Sequence, residues 1–305
     1  MSASLFDIAP ALAAYLSILA AVLGACMGSF MNCLAWRLVA GESVLRGRSH
    51  CTACGAQLTA IDLIPIVSWF ALRGRCRHCK GKISPRYVVV EIVMAAVFLS
   101  IALEYGFTVQ ALAYAVLACI LCGVTLVDAD TYTIPNGFVI AGLATWAATV
   151  WFMSVPSQGF GPGTIFAAQL GEGFLAVLAD GVAGGVLLGG GILAFSLLFE
   201  QVTKRDSLGG GDVKLLFVAG LFLGLPLGLF SLLLACFIGL AIAFVLKLSG
   251  EPSDSDVHGE SDDGSGELES FRTRAIPFGP AIAAATMLTL LIGSPCMEWY
   301  VGLLM

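Results

Sequence analysis

Apolar positions along this chain run on without the alternation of a half-buried strand or the polar face of a surface helix. Near-continuous apolar runs fall at roughly 10–34, 87–105, 109–127, 137–154, 175–199, 212–225, 227–247 and 276–295. Most approach the length of about 20 residues that crosses a hydrocarbon core. The pattern predicts an all-α polytopic membrane protein with about eight transmembrane helices. The sixth run is short and Gly-rich, so its limits are the softest. The first is too long for a signal segment and continues straight into polar residues, which predicts a retained helix rather than a cleaved leader. Two hydrophilic stretches divide the chain into a first helix (1–37), a small domain (38–86), a membrane core (87–248), an acidic loop (249–274) and a last helix (275–305).

Composition agrees with a bilayer protein: 58% of residues are hydrophobic and 12% charged, with a mean hydropathy of +0.94, whereas soluble domains run near 25% charged. The distribution of the 15 Lys and Arg sets an orientation. Nine lie between Arg37 and Arg86, none between Tyr87 and Thr203, and the others are Lys204, Arg205, Lys214, Lys247, Arg272 and Arg274. With eight spans all of these fall on one face, which positive-inside bias makes cytoplasmic. Much of the net charge of −6 comes from Glu251 to Glu269, eight acids with no Lys or Arg. That segment reads as a solvated, disordered linker or as an attractor for a basic peptide. Partners are expected to include membrane lipid and no nucleic acid, and the oligomeric state is not legible. Small residues at four-residue spacing, Gly24/Gly28, Gly181/Gly185/Gly189 and Gly220/Gly224/Gly228, are explained by close helix packing.

Cys51-Thr-Ala-Cys54 and Cys76-Arg-His-Cys79 form two CxxC pairs at the spacing of a zinc ribbon. On the reducing face four thiols serve a metal better than disulfides do. The expectation is a cytoplasmic zinc-ribbon-like insert with structural zinc on Cys51, Cys54, Cys76 and Cys79. A closed four-sulfur site leaves no open position for chemistry and instead folds a domain too small to hold itself together. His50 and His78 adjoin the ligands as surface residues or tuning groups, and the other cysteines, Cys119 and Cys122 among them, read as apolar filler.

Carboxylates in or near membrane spans are functional candidates, since insertion costs each about 2.5–3.5 kcal/mol at a helix centre. They are Glu91, Asp128, Asp130, Asp180, Asp206 and Asp212. Asp128 and Asp130 end the third run before Ile134-Pro135-Asn136, and Asp206 and Asp212 bracket Gly209-Gly210-Gly211 after the fifth. Both stretches reach the same face. Glycines beside Asp212 let a peptide backbone lie close to it. Two carboxylates sharing a partly dry site keep one proton between them, which suits activation of a water against a peptide carbonyl. That is aspartic peptidase chemistry, although a four-residue Gly-x-Gly-Asp alone is a weak signal.

At this point the chain resembles the bacterial type IV prepilin leader peptidases, which also process type II secretion pseudopilins. The resemblance rests on Gly28-Ser29-Phe30-Met31-Asn32 with Arg37-Leu38, the two CxxC pairs, Leu72 to Cys76, Ile83 to Tyr87 with Glu91, Asp128 to Asn136, the Gly209 to Asp212 turn and Ile276-Pro277-Phe278-Gly279-Pro280. It implies that Asp128 and Asp212 are the catalytic acids. It implies cleavage of a basic cytoplasmic leader after a glycine, then methylation of the new N-terminal residue, commonly Phe, with S-adenosylmethionine. The residues that bind this methyl donor are unknown. Leu208 in place of a Met, Asp206 in place of a Glu and the acidic insert before Ile276 depart from the family pattern, which bears on substrate detail.

Supporting roles are expected for Asp130, as an alternative activator, and for Gly209, Gly211, Asp206 and Lys214 around the glycine turn. Glu91 is read as an ion-pair partner of Arg86 or Arg37, or as part of the methyl-transfer site. Asp180 falls near the opposite face and is read as a surface residue. Asn32 and Arg37 are divided between helix capping and substrate contact. A proton-coupled transporter or channel with a regulatory zinc domain is the competing reading, and an assembly factor without catalysis a third. The first leaves the glycine turn unexplained, and the second predicts that replacing both acids changes nothing.

Overall fold

The computed structural model of this chain describes residues 9–44, 47–153, 155, 160–204, 209–249 and 278–304. Among the described residues six helices are long and apolar enough to cross a membrane: α1 (Pro10–Ala40), α3 (Arg86–Tyr105), α4 (Val109–Thr131), the continuous segment Phe174–Thr203, α9 (Gly210–Ser249) and α10 (Gly279–Leu304). A shorter apolar stretch, Asn136–Phe152, joins α5 (Asn136–Thr149) to a 3-10 turn. Short α2 (Val67–Ala71) and α6 (Ala167–Leu170) lie in connections. Segment Phe174–Thr203 is α7 (Phe174–Gly185) and α8 (Gly191–Thr203) joined through a π-helical turn, Val186–Gly190. The expected count of eight treats Asn136–Phe152 and each half of α9 as separate spans. The acidic Glu251 to Glu269 segment, Asp206, and Ile276-Pro277 lie outside the described residues.

The halves of α9 are separated at Gly224, whose φ of 71° and ψ of −174° leave the helix. Pro226 follows, and Pro is accommodated in the first turn of a helix because its missing N–H has no partner to lose there. Contacts on either side of the break give its sense. Before it, a Cβ on Gly181 would approach Leu221 and one on Gly189 would approach Phe217, so the first half runs antiparallel to α7. After it, Gly228 faces Leu188, and Leu232 and Cys236 share a cleft with Ile192 and Ser196, so the second half runs parallel to α8. The chain therefore turns back within the bundle at Gly224.

Asp180 of α7 secures that reversal. Its carboxylate is fully buried and accepts the Leu225 N–H at 2.9 Å and the Gly163 N–H at 2.7 Å. The first is freed by the helix break and the second belongs to a loop, so one side chain satisfies two orphaned backbone donors. This corrects the expectation of a surface residue: position near the far face did not mean exposure, because a buried break in α9 needed an acceptor. Asp180→Ala should lower stability by about 2–6 kcal/mol, from two buried donors at about 1–3 kcal/mol each. An unchanged thermal midpoint in detergent would reject the assignment.

The glycine spacings act through packing, as expected. A Cβ on Gly28 of α1 would stand 3.0 Å from the Glu91 Cα on α3, and one on Gly220 of α9 would stand 2.5 Å from the Gly184 carbonyl on α7. Lipid supplies no hydrophobic drive between helices, so such backbone approach and the contacts it permits hold the bundle. The most enclosed helix is α4, whose Leu117, Leu121 and Val124 join Leu215, Leu216 and Phe222 of α9 and Ile282 of α10 in the core.

Candidate active site

The end of α4 and the starts of α3, α5, α9 and α10 converge at one end of the bundle. Helix α4 stops where Tyr132 adopts φ 54°, ψ 29° and gives its N–H back to the Asp128 carbonyl at 2.8 Å. Pro135 then precedes Asn136 at the start of α5. Asp128 is thus in the last turn of a buried helix, and its residue is 4% exposed. The Gly279 N–H, at the N-terminus of α10, donates to Asp128 Oδ2 at 3.1 Å. A Cβ on Gly279 would sit 2.5 Å from that oxygen, so glycine is what allows the donor to approach.

Asp212 lies in the first turn of α9, half-buried, with its N–H on the Gly209 carbonyl at 3.0 Å. The packing of Gly211 on Ile134 and the Lys214–Asn136 hydrogen bond place this turn beside the end of α4 that carries Asp128, although 84 positions separate the two acids. A Cβ on Gly209 would be 3.5 Å from Asp212 Oδ2, and one on Gly211 would be 3.1 Å from the Ile134 Cβ. Gly209 therefore keeps the approach to the acid open, while Gly211 lets the turn pack against the connection after α4. Lys214 donates to Asn136 Oδ1 at 3.0 Å, joining the starts of α9 and α5 rather than balancing an acid.

Asp130 is engaged elsewhere. Arg86 Nη1 contacts its two oxygens at 2.7 and 2.8 Å, and Arg86 Nη2 donates to the Leu126 carbonyl at 2.7 Å. One guanidinium at the start of α3 thereby caps the end of α4 just beside Asp128. Sequence reasoning offered Arg86 or Arg37 as the ion-pair partner of Glu91 and missed this pair. Residues 44 apart carry no spacing signal, and only the packing of α3 on α4 brings them together. Glu91 instead accepts the Ile66 N–H at 2.6 Å. Asn32 donates to Gly28 and Tyr87 carbonyls at 3.2 and 3.3 Å, and Arg37 donates to the carbonyls of Ser43, Val44 and Gly47. The first side chain thus ties α1 to α3, and the second ties α1 to the connection between them.

Between α1 and α3 the two CxxC pairs form matching loops. Cys51 N–H bonds the Ala56 carbonyl and Gly55 N–H the Cys51 carbonyl, as Cys76 N–H bonds Gly81 and Lys80 N–H bonds Cys76. Antiparallel bridges His50 to Gln57 and Arg75 to Lys82 close each loop. All four sulfurs lie within 4.8 Å of one another. A tetrahedral zinc with bonds of about 2.3 Å would set them about 3.8 Å apart, so the donor set fits such an ion with small adjustment. Backbone N–H groups of Cys79 and His78 pull the Cys76 thiol down to about 6, whereas Cys54, despite a backbone hydrogen bond from Ala56, is pushed up to about 11 by desolvation and the Cys51 and Cys79 sulfurs. His50 turns away to meet the Trp36 ring edge-on at 5.5 Å. Asp62 ties the intervening turn to the second loop, accepting from Thr59 Oγ1 at 2.6 Å and from Arg77 Nε at 2.7 Å. Those two contacts hold its carboxyl down to about 2.

Membrane helices, two acids beside a glycine turn and a four-cysteine insert able to hold a metal together fit the class of membrane-embedded hydrolases. Residues 22–105 match the model of the bacterial peptidase A24 N-terminal domain, and residues 115–244 match that of the type IV leader peptidase family. A prepilin leader peptidase/N-methyltransferase of Aeromonas hydrophila is 30% identical over 259 residues, 83% of this chain and 74% of that protein. One of Pseudomonas putida is 29% identical over 92% of both chains. A type 4 prepilin-like proteins leader peptide-processing enzyme of Escherichia coli is also 29% identical, over 94% of this chain and 97% of that one. No solved structure matches the chain. The chain belongs to the type IV leader peptidase family.

Proposed function

We propose that this protein is a membrane aspartic endopeptidase that removes the basic leader of prepilins and pseudopilins after a glycine. The observation that carries it is the meeting of Asp128 and Asp212 at one end of the bundle, with the Gly279 N–H on one carboxylate and glycine flanking the other. One acid is ionised and takes a proton from a water as it attacks the scissile carbonyl. The other is protonated, polarises the carbonyl oxygen, and later supplies the proton that the departing amine needs. The Gly279 N–H keeps Asp128 oriented, and Gly209 leaves room for the peptide backbone beside Asp212. Asp130 and Arg86 act as positioning residues that fix the end of α4.

The Lys and Arg of the 37–86 stretch and Lys214 favour a site at the cytoplasmic face of the inner membrane. Zinc on Cys51, Cys54, Cys76 and Cys79 supplies folding energy to the insert and no catalytic step. The relatives' names include an N-methyltransferase, and by that likeness the new N-terminal residue is methylated from S-adenosylmethionine. No residue of this chain is assigned to the donor.

Purified protein incubated in detergent with a prepilin should yield a substrate lacking its leader, read from the N-terminal mass, with one methyl more when S-adenosylmethionine is added. A folded, metal-loaded protein that leaves the substrate intact overturns the reading. Gly279→Ala should lower cleavage by about 10²-fold, because displacing a reactive group by about 1 Å costs that much. The same variant with full activity would remove Gly279 from the site.

A further inference from the structure

The stretch between the two cysteine loops does not behave like the surface of a domain in water. Ile61, Leu63, Ile64, Val67 and Phe70 are all exposed, Ile61 by 66%, Val67 by 61% and Phe70 by 58%. They crowd into ten residues, 61–70, that run through a 3-10 turn, Ala60–Leu63, into helix α2. Isolated apolar residues on a surface are ordinary, whereas a contiguous set marks something that covers it.

Its depth says what does. The Ile66 N–H reaches Glu91 Oε2 at 2.6 Å. Glu91 stands five residues after Arg86, the first residue of membrane helix α3, or about 7.5 Å along the axis at about 1.5 Å per residue. The stretch therefore lies alongside the first turns of a membrane span instead of standing clear of it. Arg86 in turn is level with the end of α4.

Beside this patch is a cleft of about 470 Å³ lined by Leu72, Arg73, Arg75, Cys76 and Lys80. Its three cations are exposed and enter no ion pair among the described residues; the nearby Asp62 is taken by Arg77. An apolar face bordered by unpaired cations is the composition that binds an anionic bilayer surface, the apolar groups entering the interface and the cations meeting lipid phosphates.

We propose that the cysteine domain is seated on the membrane, with Ile61, Leu63, Ile64, Val67 and Phe70 in the interface and Arg73, Arg75 and Lys80 on the phosphates of anionic phospholipids. The seat depends neither on the reaction nor on which acids perform it. Charge complementarity and the depth of Ile66 single out lipid over a soluble partner.

The test uses the full chain in nanodiscs of phosphatidylcholine, alone or mixed with phosphatidylglycerol, each with a trace of phospholipid bearing a photoreactive acyl chain. After irradiation, the label on the peptide covering 60–72 is compared with that on the transmembrane peptides. The 60–72 peptide should be labelled, several-fold more in the presence of phosphatidylglycerol. Arg73→Gln/Arg75→Gln/Lys80→Gln should lower that label to its phosphatidylcholine level. Val67→Asp/Phe70→Asp should remove it while metal content and transmembrane labelling stay at wild-type values. A wild-type segment without label, a label indifferent to phosphatidylglycerol, or crosslinks from 60–72 to a second copy of the chain would each overturn the proposal.

Discussion

Asp212→Asn is expected to lower prepilin cleavage by at least about 10³-fold, within the range of about 10²–10⁴ that a positioned acid or base contributes. The substitution keeps the shape of the side chain and its place in the first turn of α9, yet removes the carboxyl that can give and take a proton. Asp128→Asn should fall as far, and the double variant little further, because the acids work as one unit and their losses do not add. The check is single-turnover cleavage of a prepilin with each variant, alongside thermal midpoints that confirm folding. Either variant retaining wild-type turnover would remove that residue from the chemistry. Asp130→Asn separates the two acids of α4: its loss of the Arg86 pair should slow cleavage without abolishing it.

Removal of the proposed metal is expected to have the second large effect. The insert between α1 and α3 has no buried apolar core among its described residues beyond Cys76, so a metal on the four cysteines would carry its stability. Structural zinc supplies an apparent free energy of about 10–16 kcal/mol, on the order of a whole small domain's stability. Cys76→Ser should therefore eliminate bound zinc, measured by atomic emission. It should also expose the amides of residues 50–82 to fast hydrogen exchange, while α4 and α10 remain protected. Zinc at the wild-type level in that variant would reject the four-thiolate site.

Much of this was legible in the chain. Long apolar runs need only length and composition to be read, and two CxxC pairs define a tetrahedral donor set by spacing alone. The acids stand out because a carboxylate beside a membrane span is costly unless used. Legibility ended where partners came from distant sequence. Asp180 was misplaced because the helix break it satisfies, at Gly224, sits 44 residues later: the division between the runs 212–225 and 227–247 was legible, but not the side chain that accepts its freed N–H. Arg86 was offered, with Arg37, as a partner of Glu91, whereas the packing of α3 against α4 gave it Asp130 and the Leu126 carbonyl. The closing motif around Gly279 was recognisable as a pattern, but its task of donating an N–H to Asp128 came only from the fold.

That last hydrogen bond sets an order of events during biosynthesis. Asp128 emerges from the ribosome 151 residues ahead of Gly279, a lag of about 8–30 s at about 5–20 residues per second. Throughout that interval the carboxylate lacks the Gly279 amide that orients it. On the proposed assignment of Asp128, full hydrolytic competence arrives only with α10, so a ribosome that stalls early leaves behind a weakened protease beside neighbouring membrane proteins.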